Sequence, residues 1–418
     1  LRSSPPPSRP QWRSSGSSPS PGRSWRGPCG GRGASRSTTA KSDAGGEFAL
    51  IARLAAALRT AGADGSVGAG GRLASGGPNA GDVILGIGDD VAVLDLGGPE
   101  HVLATVDAQV EGVHWRADLL SPADIGHRAL AASASDIAAC GGRPRHALVA
   151  LAIRSFEERS DASRSAVGSH DIGRPGTDGA WWEAVYRGLG EAAARWGIAV
   201  VGGNIARIGG PIVIDVTMLG TAPPAHIVRR DGARPGDRVV VVGALGAAAA
   251  GLHVALDKSG DGAFAARLTP SDRRTLLRAW RRPIPQLAAA ATIAASGTAT
   301  AMIDVSDGLT ADVGHICDAS GVGVELVAAR LPIPPAARRA AAFVGPAQAE
   351  AWALGGGEDY ALCLTVGPRA VDDLVNRVRA AGARAVDVGV VLPAGEERRV
   401  VGADGDVQAL GDGGWRHV

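Results

Sequence analysis

Two rhythms of apolar residues run along this chain and mark its elements. Phe48, Leu50, Ile51, Leu54 and Leu58 recur at helical spacing within "GGEFALIARLAAAL", so an amphipathic helix opens the ordered part. Short runs rich in Val, Ile and Leu then predict strands at Val83–Ile87, Ala92–Leu96 and Val102–Val106. A helix is expected from Pro122 to Cys140, with Ser121 as its N-cap and Pro122 at its first position. "HALVALAI" (146–153) reads as a strand and "WWEAVYRGLGEAAARWG" as a helix; "IAVVGGN" and "PIVIDVTMLG" read as two more strands. Beyond residue 222 the strands fall at Arg238–Val242, Thr300–Asp304, Val322–Leu326 and Ala361–Val366, with helical patterns between them.

The breaks in these rhythms set the domain organisation. Residues 1–43 are rich in Ser, Pro, Gly and Arg and have no apolar period, so a disordered basic tail is expected. A first domain spans 44–222. It is interrupted by "RSFEERSDASRSAVGSHDIGRPGTDGA" (154–180), a polar stretch read as a long surface loop inserted in it. "PPAHIVRRDGARPGDRVVVVG" leads into a second domain, 223–418. The longest uncharged run, "VVVVGALGAAAAGLHVAL" (239–256), is mostly Ala and Gly after its four Val. It therefore reads as strand, glycine turn and packed helix, and no membrane span is expected.

Composition narrows the class. Aromatic residues make up 4% and glycines number 61, so the core is built from small aliphatics in an α+β or α/β architecture. The net charge of +1 conceals an asymmetry, because residues 1–42 carry eight basic residues and no acid. The remaining 35 basic and 42 acidic side chains leave the folded part at −7, which argues against a nucleic-acid partner. Cys29, Cys140, Cys317 and Cys363 lack C-x-x-C spacing and read as reduced thiols of a cytoplasmic protein.

The chemistry lies in acidic residues set at strand ends or beside glycines: "GIGDD" (Asp89, Asp90), "TVDAQVEG" (Asp107), "ASASDIAACGG" (Asp136), "IDVSDGL" (Asp304, Asp307) and "LGGGEDY" (Glu358, Asp359). Any one alone is an ordinary turn or cap residue. Several gathered together would repel and raise each other's pKa, and a divalent cation resolves that conflict. Oxygen ligands without His or Cys favour Mg²⁺, which commonly also holds substrate phosphates, so a nucleotide is the natural partner. The chain has no G-x-x-x-x-G-K-[ST] and no H-R-D or D-F-G set, and "GIGDD" fails G-x-G-x-x-G at its last position. ATP, if handled, is handled on another fold.

"GEFALI", "GIGDDVAVL", "TVDAQVEGVHW", "ALAASASDIAACGGRP", "VGGNIARI", "RRDGARPGD", "IDVSDGLTADVGHI" and "GGGEDYALCLTV" follow one another in the order found in thiamine-monophosphate kinases. The chain resembles that family, within the superfamily of aminoimidazole ribonucleotide synthetases. The resemblance implies an α+β, two-domain aminoimidazole ribonucleotide synthetase-like fold, whose N-terminal sheet forms a barrel in a homodimer and whose C-terminal domain is an α/β sandwich. It implies ATP-dependent phosphorylation of thiamine phosphate to thiamine diphosphate, with ATP as co-substrate and several Mg²⁺ ions as cofactors. By the same resemblance the metal positions fall on Asp89, Asp90, Thr105, Val106, Asp107, Asp136, Asn204, Asp304 and Asp307. ATP contacts fall on Tyr186, Gly203, Asn204, Arg230 and Ser306, and thiamine phosphate contacts on His114, Glu358 and Trp415. Asp90, Asp307 and Arg230 are the expected catalytic residues.

Three features depart from the family pattern. Asn204 stands where many members have Asp; Val106 replaces a frequent Thr and can offer only its backbone oxygen; and the 154–180 loop is long. The competing readings are another ATP-dependent enzyme of the superfamily (aminoimidazole ribonucleotide synthetase, selenophosphate synthetase or hydrogenase maturation dehydratase) and a catalytically silent nucleotide-binding module. Cys29 lies in "GPCGGRG" with no Lys beside it, which argues against selenophosphate synthesis.

Overall fold

The computed structural model describes residues 51, 54, 82–154, 179–258, 262–402 and 404–411. The tail 1–43, most of the helix expected around Phe48–Leu58, the interior of the 154–180 loop and Trp415 lie outside the described residues.

Among the described residues the N-terminal half is a six-stranded sheet with two long helices on one face. Its elements are β1 (Val83–Leu85), β2 (Ala92–Leu94), β3 (His101–Val110), α1 (Pro122–Ala139), β4 (Arg143–Arg154), α2 (Gly179–Trp196), β5 (Ala199–Ile208) and β6 (Val213–Ala222), in sheet order β1-β2-β3-β6-β4-β5. Every pairing is antiparallel except β4 with β5. β3 runs further than its apolar pattern implies, since its ladder with β6 continues through Asp107 to Val110 and backbone pairing tolerates the polar residues there.

α1 starts as the sequence requires, with the Ser121 hydroxyl accepting Asp124 N–H at 3.2 Å and Pro122 in its first turn. It is buried almost all round, and its contact with α2 depends on two glycines. A Cβ on Gly126 would sit 2.0 Å from Val185 O, and one on Gly188 would sit 1.8 Å from Ala123 O. The two backbones touch there, so no side chain fits.

Among the described residues nothing covers the opposite face of this sheet. β5 is exposed along nearly its whole length despite Val200, Val201 and Ile205, and Val106 and Leu148 add apolar surface.

The C-terminal half has β7 (Arg238–Val242), α3 (Ala247–Lys258), α4 (Ala263–Arg267), α5 (Pro270–Arg281), α6 (Leu287–Ser296), β8 (Ala299–Val305), α7 (Leu309–Ser320) and β9 (Gly323–Val327). Then come α8 (Pro335–Ala341), α9 (Gln348–Gly355), β10 (Ala361–Val366), α10 (Val371–Ala380), β11 (Ala385–Leu392), β12 (Arg399–Val401) and β13 (Val407–Ala409). Its seven strands are ordered β13-β12-β9-β11-β7-β10-β8. The run 239–256 is strand, glycine turn and packed helix, as its composition implies. β7 and β10 occupy the middle of the sheet and are buried on both faces, which accounts for their unbroken apolar runs. The molecule is thus an α+β protein with two mixed sheets. No helix among the described residues is long and apolar enough to cross a membrane.

Candidate active site

Four segments from both halves bring oxygen-bearing side chains together. The turn after β1 carries Asp89 and Asp90, β3 carries Thr105 and Asp107, α1 carries Asp136, and the end of β8 carries Asp304. Carboxylate oxygens of Asp90, Asp136 and Asp304 all lie within 4.8 Å of one another. The Thr105 hydroxyl donates to Asp136 Oδ2 at 2.8 Å and the Ser135 hydroxyl to Asp304 Oδ2 at 2.6 Å, so both carboxylates are held in place by neutral donors.

Arg230, in the segment that joins the halves, balances part of this charge. Its Nε donates to Asp90 Oδ2 at 3.2 Å, one of its terminal nitrogens donates to Asp90 Oδ1, and its backbone N–H donates to Asp89 Oδ2 at 3.2 Å. Asp89 also accepts Asp90 N–H at 2.9 Å and stands 3.5 Å from Cys140 Sγ. Asp89 is therefore the turn-forming carboxylate of the pair, and Asp90 is the one aimed at the cluster.

The balance is incomplete. Burial first, and then its acidic neighbours Asp304, Asp107 and Asp90, push the Asp136 carboxyl well above the usual range. Burial and the Asp90 charge bring Asp304 to about 7. Asp90 is raised by burial even with Arg230 beside it, while burial opposes the Arg230 charge but Asp90 and Asp89 keep that guanidinium firmly protonated. Buried, convergent, oxygen-only and short of positive charge, this donor set fits a hard divalent cation.

A second loop closes on the first. Glu358 and Tyr360 in "GGGEDY" adopt φ of 59° and 47°, left-handed backbone that non-glycine residues rarely hold, and Gly357 before them has φ 65°. The loop is pinned on both sides. Glu358 N–H donates to Ser306 O at 2.6 Å and Tyr360 N–H to Val305 O at 2.9 Å, which ties it to the strand end bearing Asp304 and Asp307. Asp359 accepts Gly246 N–H at 2.6 Å and Ala248 N–H at 3.0 Å, which anchors it at the N-terminus of α3. Burial raises Asp359 to about 7.

The Glu358 carboxylate pairs with Arg128 of α1, whose side chain is 1% exposed. Arg128 also donates to Trp280 O at 2.5 Å, and its Nε has no partner. This cation sits in "DIGHRALA", where one basic residue amid a largely buried helix is a legible signal. Arg128, Ser135 and Cys140 touch Glu358, Asp304 and Asp89 respectively, contacts that the motifs alone do not single out. Asp312 is a further neighbour; it is buried, accepts Gly308 N–H at 3.0 Å, and is raised well above the ordinary range by burial and by the charges of Asp304 and Asp307.

The remaining residues are placed as follows. Ser306 and Asp307 follow β8 in the pinned loop, while Asp107 faces Asp136 closely enough to raise its pKa. Val106 lies on β3 with its side chain 62% exposed, on the face opposite Thr105. His114 Nδ1 accepts Val110 N–H at 3.0 Å at the end of β3. Tyr186 is half-exposed on α2. Gly203 and Asn204 lie on exposed β5, where a Cβ on Gly203 would meet Val149 O at 1.8 Å. Among the described residues, Tyr186, Gly203 and Asn204 make no hydrogen bond or ion pair to the carboxylate cluster.

Known proteins resemble this chain in sequence and fold. The family described as AIR synthase related protein, N-terminal domain, matches residues 88–222, and its C-terminal domain counterpart matches 234–402. The chain is 33% identical to the thiamine-monophosphate kinase of Escherichia coli over 324 residues, covering 77% of this chain and 82% of that protein. It is 38% identical to the Mycobacterium tuberculosis thiamine-monophosphate kinase over 287 residues, covering 68% and 76%. The solved structure described as AaThiL complexed with AMPPCP and TMP superposes with a TM-score of 0.67 at 28% identity, over 91% of this chain and 100% of that one. The chain belongs to the thiamine-monophosphate kinase family.

Proposed function

We propose that this protein transfers the γ-phosphoryl group of ATP to the phosphate of thiamine phosphate, forming thiamine diphosphate and ADP. The observation that carries this reading is the cluster of Asp90, Asp136 and Asp304, fed from both halves of a chain that belongs to this kinase family. The accepting oxygen belongs to a phosphate that is already ionised near neutral pH, so no general base is needed. That agrees with a site made of carboxylates and hydroxyls.

Mg²⁺ would be held by Asp90, Asp136 and Asp304, with Asp107, Asp307, Thr105, Asp89 and the oxygens of Val106 and Asn204 as the further ligand positions. Bound there, Mg²⁺ offsets phosphate charge and orients the transferring group. The protein's own part is alignment. Ser135 and Thr105 fix the carboxylates, Arg230 supplies a charge that phosphate can share with Asp90, and the pinned Ser306–Asp307 and Glu358 loops bring the two substrates into line. Tyr186, Gly203, Asn204 and Ser306 serve ATP; His114, Glu358 and Trp415 serve thiamine phosphate. Asp90, Asp307 and Arg230 are the catalytic residues of this proposal.

Because Asp304 titrates at about 7, Mg²⁺ must displace a proton to bind below that pH. Calorimetry in two buffers of different ionisation enthalpy at pH 6 should register proton release on Mg²⁺ binding, and the release should fall as pH rises through about 7 and Asp304 ionises. Affinity independent of pH between 6 and 8.5 would remove Asp304 from the ligand set. ADP formation should also require thiamine phosphate; steady ATP hydrolysis without it would favour a hydrolytic relative, and no ATP turnover with it a silent one.

The active form is a homodimer closed into a barrel through the six-stranded sheet. Support comes from the bare apolar face and edge at Val106, Leu148, Val201 and Ile205, which a monomer would leave in water. Sedimentation should give twice the chain mass, and Ile205→Asp should give a monomer. A wild-type monomer at 50 μM, a concentration chosen on the order of typical assays, would contradict this arrangement.

A further inference from the structure

Away from the carboxylate cluster, α5 (PSDRRTLLRAWR) places Arg273, Arg274, Arg278 and Arg281, with Arg282 following, along a cleft of about 380 Å³ against Asp124 at the start of α1. Its apolar residues Leu276 and Trp280 are buried in the core and Leu277, also buried, lines the cleft, so the arginines are what the helix presents outward. The acids at the cleft are already committed. Asp124 accepts from Arg282 Nε at 2.7 Å and Glu191 accepts from Arg282 Nη1 at 2.8 Å. Arg273, Arg274, Arg278 and Arg281 have no carboxylate partner among the described residues. Arg281 Nε is buried there and has no hydrogen-bond acceptor.

Helix electrostatics account for only part of this. Arg278 and Arg281 lie in the last turn, where cations complement the helix dipole, but Arg273 and Arg274 lie near the positive end, where they oppose it. Arg274 and Arg278 are also like charges four residues apart, a spacing that weakens a helix. Such a cluster is stabilised when an anion fills it. Guanidinium forks match phosphate oxygens two at a time, so phosphate is the best fit.

We infer that this cleft is a second anion site, separate from the carboxylate cluster, that binds a di- or triphosphate chain without a metal. Four guanidinium groups without a carboxylate partner, of which Arg281 donates only to Leu119 O at 3.5 Å, match a chain of several phosphates better than a single one. The cleft is too small for a nucleic-acid groove, and the folded part, at −7 outside residues 1–42, repels a long polyanion.

The test is calorimetry on the full chain in EDTA with sodium tripolyphosphate as probe, because chelation removes metal-dependent binding at the carboxylate cluster. One tripolyphosphate per chain should bind, more weakly as salt rises. Arg274→Glu/Arg278→Glu should weaken binding by roughly a hundredfold, about tenfold per lost charge-assisted contact. Both residues are exposed, so melting temperature and turnover should not change; the neutral pair Arg274→Gln/Arg278→Gln should give an intermediate loss. ADP as a second probe separates the sources: equal binding assigns the site to nucleotide phosphates, and tripolyphosphate alone assigns it to inorganic chains. Absence of binding at 1 mM probe, a concentration on the order of the weakest specific affinities, would overturn the proposal. So would equal binding by both variants, or preference for duplex RNA.

Discussion

Asp304→Asn should make the metal-free protein more stable at pH 8 while lowering turnover about a thousandfold. The two effects come from one cause. Asp304 is 2% exposed and shares its surroundings with Asp90 and Asp136, so its ionised form is disfavoured until about pH 7. A carboxyl whose pKa rises on folding contributes most below its unfolded value near 4, and that contribution is lost as pH rises through about 7. At pH 8 the penalty is on the order of 2–4 kcal/mol, and Asn avoids it while still accepting the Ser135 hydroxyl. The expected gain is roughly 2–5 °C in melting temperature at pH 8, shrinking to nothing near pH 4.

Turnover falls because a metal ligand is lost, and a thousandfold corresponds to about 4 kcal/mol of transition-state stabilisation. Asp90→Asn should be as inactive but less stable than wild type by up to about 3 kcal/mol, since it strips Arg230 of its closest partner. Thermal melts with and without Mg²⁺ check both. A destabilised Asp304→Asn protein at pH 8 would show that the cluster is not strained by its own charge.

Arg128→Met should cost about 3 kcal/mol in stability and raise the KM for thiamine phosphate roughly tenfold, with a smaller change in kcat. Met preserves most of the packing volume, so the loss is that of a buried cation that holds Glu358 and Trp280 O together. Glu358 is already at a strained φ of 59°, and without Arg128 its carboxylate has no reason to keep its direction. Arg128→Lys retains the charge with a single point of contact and should recover part of the KM. Equal damage from Met and Lys, or a loss confined to kcat, would mean that Arg128 does not act through Glu358. Urea melts and initial-rate kinetics on the two variants distinguish these outcomes.

Much of this was readable in the chain because strand ends and metal ligands carry strong local signals. The apolar runs around Val239–Val242 and Ala361–Val366 fixed two central strands to the residue, and Ser121-Pro122 fixed the start of α1. The resemblance implies that Asp90, Asp136 and Asp304 share one site, and their places at strand ends or near glycine turns mark each acid in the chain.

What stayed hidden was long-range or unpatterned. β11, β12 and β13 were not anticipated, because their residues mix Gly, Asp and Arg with Val, and their strand character comes from pairing with β7 and β9. Arg230 rests on Asp90 and Asp89, about 140 residues away in the chain, a pairing that no local pattern around "RRDGARPGD" names. The pairing of Arg128 with Glu358 spans 230 residues of sequence, a separation at which local patterns carry no information.

The most direct measurement is phosphorus NMR of the full chain with ATP, Mg²⁺ and thiamine phosphate. Direct in-line transfer predicts that each ATP consumed yields one ADP and one thiamine diphosphate, with no inorganic phosphate released and no phosphorylated protein. ADP accompanied by inorganic phosphate, with thiamine phosphate unchanged, would contradict it.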